Sequence, residues 1–211
     1  MKGLIIKDIL NLKKSIVVTL IAIFIYGVFS YSTGDMSMII GMTALIMTSM
    51  SISSIAYDDM AKWDSYALAM PITRRNIVLS KYALSLILST IAIILSASLA
   101  ILITYLRGDL INMENIQEII LTAYIVFLIS MVFISINLPM IFKFGVENAR
   151  ILMLGSFIIP LGIGYLLTKM GIQLPTIEEL KMVLYISPII LILILTLSIS
   201  ITYGIYRNKD L

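Results

Sequence analysis

Six stretches of the chain run without a charged side chain: Ser15 to Gly34, Met36 to Tyr57, Tyr82 to Leu106, Ile119 to Phe142, Ile151 to Thr168 and Met182 to Tyr206. A helix rises about 1.5 Å per residue, so about 20 residues cross a hydrocarbon core of roughly 30 Å. Inside lipid the backbone must satisfy its own hydrogen bonds, and isolated blocks of this length can do so only as helices. The apolar residues come in blocks rather than at the period of a water-facing helix. The charged fraction of 13% is about half that of a soluble domain. The expected fold is an all-α polytopic membrane protein with six transmembrane helices and one transmembrane domain, 1–211. Its spans are expected at about 15–34, 36–57, 82–106, 119–142, 151–168 and 182–206.

Orientation follows from lysine and arginine. With the N-terminus inside, twelve basic residues lie on the inner side (Lys2, Lys7, Lys13, Lys14, Lys62, Arg74, Arg75, Lys81, Lys143, Arg150, Arg207 and Lys209), against three outside (Arg107, Lys169 and Lys181). Both termini and the loops 58–81 and 143–150 are therefore expected in the cytoplasm of a multi-pass plasma-membrane protein. Residues 1–14 read as an interfacial helix: Ile5, Ile9 and Leu12 share one face, and Lys7, Asp8, Asn11 and Lys14 lie towards the other. A plain basic flank that only sets topology fits the same residues. Outside, Thr176 and Glu179 fit a capping box, so a short helix is expected to lead into the last span. Gly155, Pro160, Gly162 and Gly164 predict a kink or break in the fifth span, or close helix packing.

The chain has no cysteine and no histidine. That excludes disulfides, thiolate or imidazole metal sites and Ser-His or Cys-His catalysis, and no cofactor is expected on this chain. The small net charge of +3 does not suggest nucleic acid. Charged groups at mid-membrane, the usual mark of ion-coupled carriers, are missing from all six spans. An intramembrane protease has no dyad to use, because Glu178-Glu179 lies outside. Any uphill transport needs energy delivered from elsewhere. The second span is rich in methionine and hydroxyl side chains, and Met38, Met42, Thr43, Met47, Ser49 and Met50 are candidates to line a path for amphipathic cargo. Small-residue packing accounts for the same composition.

The inner loop from Tyr57 to Lys81 carries the only tryptophan. Trp63, Tyr66, Ala67 and Met70 recur at helical spacing and predict a short amphipathic helix that Pro71 ends. Such a turn suits docking into a cytosolic partner, or anchoring in the headgroup zone. Asp58-Asp59, Trp63, Tyr66-Ala67, Met70-Pro71-Ile72, Arg74-Arg75, Ile77-Val78 and Ser80-Lys81-Tyr82 resemble the first cytoplasmic loop of small bacterial permeases of ABC exporters of the second type. Pro139, Lys143-Phe144-Gly145, Glu147 and Ala149-Arg150 resemble that family's second loop, and Leu4-Ile5-Ile6-Lys7-Asp8 its opening. Asp59, Asn148 and Met70 depart from the family's usual Glu, basic residue and Leu. Within the family, the chain is most similar to permease subunits of Gram-positive exporters of amphipathic peptides such as phenol-soluble modulins.

The resemblance implies a permease subunit, not an enzyme, in a bacterial plasma membrane. It would pair with a second permease copy or paralogue and take energy from two cytosolic ATPase subunits that bind ATP and Mg. No phosphate-binding loop is present in this sequence. The implied cargo is an amphipathic peptide or another lipophilic compound. Residues expected to couple to the ATPase are Asp58, Asp59, Trp63, Tyr66, Pro71, Arg74, Arg75, Lys143, Gly145, Glu147 and Arg150, with the Trp63 helix as the coupling helix. The alternatives are an ATP-independent peptide-immunity or sensor protein, and an exporter of small lipophilic drugs.

Overall fold

A computed structural model describes the backbone of residues 2–109, 112–169 and 177–209; the side chains of Asp64, Leu68 and most of 150–183 lie outside the described set. Described residues form six helices: α1 (Lys2–Thr33), α2 (Met36–Met60), α3 (Trp63–Ala69), α4 (Arg74–Leu106), α5 (Met113–Lys169) and α6 (Ile177–Arg207). Five described helical segments are long and apolar enough to cross a membrane: Lys2–Thr33, Met36–Met60, Arg74–Leu106, Met113–Ala149 and Leu184–Arg207. The protein is thus an all-helical, multi-pass membrane protein of the kind that resides in a plasma membrane. The remaining expected span, 151–168, is helical in backbone.

The chain divides into two compact units, Met1–Met131 and Val132–Leu211. In the first, α1, α2 and α4 pack on one another. Gly34 makes the turn from α1 to α2. Its φ of +82° is cheap only for glycine, and its N–H closes α1 by donating to the Ser30 carbonyl at 2.8 Å. Asp35 then caps α2, accepting from the N–H of Ser37 at 3.0 Å. A Cβ on Gly34 would stand 2.8 Å from the Arg107 guanidinium, which reaches back from the end of α4 to donate to the Tyr31 carbonyl at 2.7 Å. A cavity of about 410 Å³ opens beside this turn, lined in part by Asp35, Ile40, Asp109, Glu118 and Thr122. Below it Ile39, Ile40, Ala100, Ile103, Ile119 and Ala123 form an apolar core.

The α1 helix is unbroken over 32 residues, about 48 Å at about 1.5 Å per residue. The expected interfacial segment 1–14 is therefore the first turns of α1, not a separate helix. Burial divides each of the two expected faces: Leu12 and Asp8 are buried, whereas Ile9 and Lys14 are exposed. Leu4, Asp8, Leu12, Thr19, Ile23 and Ser30 form the buried stripe, whereas Ile9, Val17, Phe24 and Phe29 are exposed. Lipid solvates apolar side chains as well as a protein core does, so Asp8, Thr19 and Ser30 are the members of this stripe that gain by turning inward.

In the second unit, Ser198 Oγ of α6 donates to the Ser135 carbonyl of α5 at 2.6 Å, and the rings of Phe142 and Tyr206 meet edge to face at 5.3 Å. The two contacts advance together along the sequence, so these segments of α5 and α6 run parallel. α5 departs from helical φ/ψ at Gly145 (φ 76°, ψ 166°), while the backbone of 151–169 stays helical. A break in the fifth span is not found; the interruption precedes it. α6 runs from Ile177 across Pro188 to Arg207, so the short external helix is continuous with the last span. Its expected cap, Thr176, lies outside the described residues.

Candidate functional site

At the end of the first unit away from Gly34, three helices bring together two lysines and two aspartates in close ion pairs. Lys81 of α4 places its Nζ 2.9 Å from Asp8 Oδ1, 2.6 Å from Asp58 Oδ2 and 3.1 Å from Ser54 Oγ. An ammonium has three protons, and each has an acceptor here. Lys7 of α1 donates to both oxygens of Asp58, at 2.6 and 2.7 Å, and lies 3.0 Å from Asp8 Oδ1. Burial is deep: side-chain exposure is 1% for Asp8, 4% for Lys81 and 8% for Asp58, against 23% for Lys7. Two cations and two anions make the group formally neutral. Neutrality and mutual hydrogen bonding are what make burial of four charges tolerable. One oxygen, Asp8 Oδ2, is buried without a partner.

The cluster also reaches α3 (Trp63–Ala69). Lys7 Nζ lies 4.5 Å from the centroid of the Trp63 ring, a cation–π contact at the first residue of α3. α3 follows α2 after a turn in which Lys62 adopts the left-handed conformation (φ 48°), and it ends at Ala69. Met70 is extended (φ −91°, ψ 164°), as the ring of Pro71 demands of the residue before it. The expected apolar face of this helix is divided. Ala67 is fully buried and Trp63 half-buried, whereas Tyr66 is 65% exposed and Met70 is exposed. One side of α3 therefore holds it to its own unit, and the other is presented outward.

The other expected coupling residues fall as follows. Asp58 is not on the surface; it is the shared acceptor of Lys7 and Lys81, so it reaches a partner only through them. Asp59, Pro71 and Arg75 are exposed and Arg74 is half-buried at the start of α4. Lys143 and Glu147 are exposed in the second unit, on either side of Gly145; the side chain of Arg150 lies outside the described residues. Gly145→Ala is expected to cost about 1–3 kcal/mol, because a φ of 76° with ψ of 166° is a region nearly reserved for glycine. Thermal unfolding in detergent measures this, and an unchanged midpoint refutes it.

The candidate path-lining residues do not share a face. At 100° per residue Met38, Met42 and Ser49 fall on one stripe of α2, half-buried or exposed. Thr43, Met47 and Met50 fall on the opposite stripe. There Met50 joins Leu12 and Leu84 in a core with Met47 against it, and its sulfur accepts from Thr19 Oγ1 at 3.5 Å. Methionine content marked the helix, but only packing sorts its two sides.

The sequence reading missed Lys7, Asp8, Ser54 and Lys81 as partners. The lysines were counted for topology and Asp8 was placed on the polar face of an interfacial helix. A usable signal was present: Leu4, Asp8 and Leu12 recur every four residues, a stripe continued by Thr19, Ile23 and Ser30. Among the described residues no group of three or more carboxylates is placed to hold a metal ion.

The family model described as ABC-2 family transporter protein matches residues 3–207. That is nearly the whole chain, and the chain belongs to this family. Neither the curated proteins nor the solved structures provide a match. Membership makes the chain a membrane permease and a non-catalytic transport subunit, and implies a partner ATPase.

Proposed function

We propose that this ABC-2 family chain is the membrane-spanning part of an ATP-driven exporter of amphipathic peptides, with both termini and the loops 58–81 and 143–150 on the cytosolic side. In this reading 1–211 acts as one transmembrane domain beside a second permease copy or paralogue. Two ATPase subunits bind ATP and Mg, and dock on α3 and the second loop. The observation that carries the reading is the attachment of α3. Its inner side is held through Trp63 and Lys7 to the charge cluster that joins α1, α2 and α4, and its outer side offers Tyr66. A push on a helix held in this way passes to three spans at once, because the ion pairs are short and buried. Charge-free spans support an external energy source, and the hydroxyl-rich α2 supports a cargo with a polar face.

The test is to purify the chain from its native membrane and reconstitute it. Recovery of an ATP-hydrolysing subunit, with ATP-dependent movement of a labelled amphipathic peptide across the vesicle membrane, is the expected result. Peptide capture with no ATPase recovered would replace the exporter by a sequestering immunity or sensor protein. ATP-dependent movement of a small lipophilic dye but not of peptide would keep the exporter and change its cargo.

A further inference from the structure

Four hydroxyl groups in the first unit are buried and have no hydrogen-bond partner: Thr43, Thr48 and Ser51 on α2 and Ser89 on α4. Their exposures are 0%, 1%, 2% and 1%. Other hydroxyls of these two helices bond back to their own backbone, as Ser49 does to Leu45, Ser53 to Ser49, Ser85 to Lys81, Thr90 to Leu86 and Ser96 to Ile93. An unmade hydrogen bond in a buried site costs about 1–3 kcal/mol, so four together call for a partner that this conformation lacks.

Their placement is ordered. Lys81 meets Ser54 and Asp58 across the α2–α4 seam. Moving away from that contact, Ser51 lies three residues beyond Ser54, Thr48 six, and Ser89 eight beyond Lys81. These are heights of about 4.5, 9 and 12 Å at about 1.5 Å per residue. Farther on, the seam is closed by Ile39 and Ile40 against Ala100 and Ile103. The stretch next to the charge cluster thus holds unpartnered hydroxyls beside the apolar Met50 and Leu84, whereas the far stretch is closed by apolar side chains alone. Met47 and Met50, which repack at low cost, lie in the first of these stretches.

We infer that the charged half of the α2–α4 seam is a closed polar vestibule, in which Thr48, Ser51 and Ser89 receive hydrogen-bonding groups from the polar side of the cargo once the Lys81 cluster loosens. The inference rests on the transport reading and adds to it a place and a latch. Lys81 closes the vestibule by holding Asp58 and Ser54 of α2 against α4, while Asp8 joins α1 to the same ammonium. Thr43 lies at the border with the apolar seal.

The chain has no cysteine, so a single introduced cysteine is the only site of thiol labelling in its band once the subunits are separated on a gel. Thr48→Cys, Ser51→Cys and Ser89→Cys are made in the full permease–ATPase complex in proteoliposomes, with Thr90→Cys as the control on the exposed side of α4. A membrane-impermeant methanethiosulfonate carrying a quaternary ammonium is the probe. It is applied without nucleotide, with a non-hydrolysable ATP analogue and during turnover. The three seam positions are expected to change labelling rate about 10-fold or more between nucleotide states, and Thr90→Cys less than about 2-fold. Adding Asp58→Asn to Ser51→Cys is expected to raise labelling without nucleotide about 10-fold. The inference is overturned if ATP-driven transport proceeds while all three positions stay unlabelled, or label equally in every state. Absence of ATPase association or of ATP-driven transport fails the exporter reading instead, whatever the cysteines report.

Discussion

Replacing Lys81 by methionine is expected to be among the most damaging single changes in the first unit, lowering the unfolding midpoint in detergent by roughly 6–20 °C. The expectation follows from how the charges are paired. Lys81 is 4% exposed and donates to Asp8, Asp58 and Ser54, and methionine keeps most of its length while removing every donor. Two buried carboxylates are then left to Lys7 alone. Removing one partner from a buried ionic group costs about 3–5 kcal/mol, and a chain of this size loses about 2–4 °C for each kcal/mol. The matched double change Lys81→Met with Asp58→Leu removes one charge of each sign and leaves the Lys7–Asp8 pair at 3.0 Å. It should recover most of the lost stability, since apolar replacement of a whole buried pair is often neutral. In reconstituted vesicles it should not recover transport, because α2 and α4 are then joined by packing alone. A single variant as stable as the parent would show that the cluster contributes nothing net. A double variant as damaged as the single would locate the effect in packing rather than charge.

Tyr66→Ala is expected to weaken ATPase association about 10-fold or more with the unfolding midpoint unchanged. A Tyr that is 65% exposed contributes little to its own fold, whereas an aromatic anchor in a partner's groove commonly carries about 2 kcal/mol or more. Trp63→Ala is expected to weaken association too, but with a lower midpoint. Trp63 is half-buried and carries the cation–π contact to Lys7 at 4.5 Å, so its loss frees α3 from the cluster as well as from the partner. Quantitative co-purification beside thermal unfolding separates the two. If both variants bind the ATPase as the parent does, α3 is no docking helix and serves at the membrane surface instead. If only Trp63→Ala fails, the contact lies on the inner side of α3 and the roles given to its two sides are reversed.

Both changes sit in segments whose helices were readable from sequence and whose contacts were not. The turn at Gly34, the end of α3 before Pro71 and the apolar spans each depend on a few neighbouring residues, and local pattern is enough to find them. Asp8 illustrates the opposite case. It was read as part of the polar face of an interfacial helix at the inner leaflet. In the fold Asp8 turns inward while Ile9, Val17 and Phe24 stay exposed, because lipid solvates apolar side chains as well as a core does. The six methionine and hydroxyl candidates of α2 failed to form one lining for a related reason: composition identifies a helix, not the azimuth at which its neighbours pack.

Sequence alone was enough for the solvent and the helical class, because a run of about 20 charge-free residues settles these questions locally. The lack of charge in the apolar runs raised the expectation of an energy source outside them. Only the tertiary structure decided that Lys7, Asp8, Asp58 and Lys81 are one object. Their partners lie 51 and 73 residues apart along the chain, and each charge read alone is an ordinary flank of a span. Ion pairing in a dry interior depends on distance in space, and that distance exists only after α1, α2 and α4 have packed.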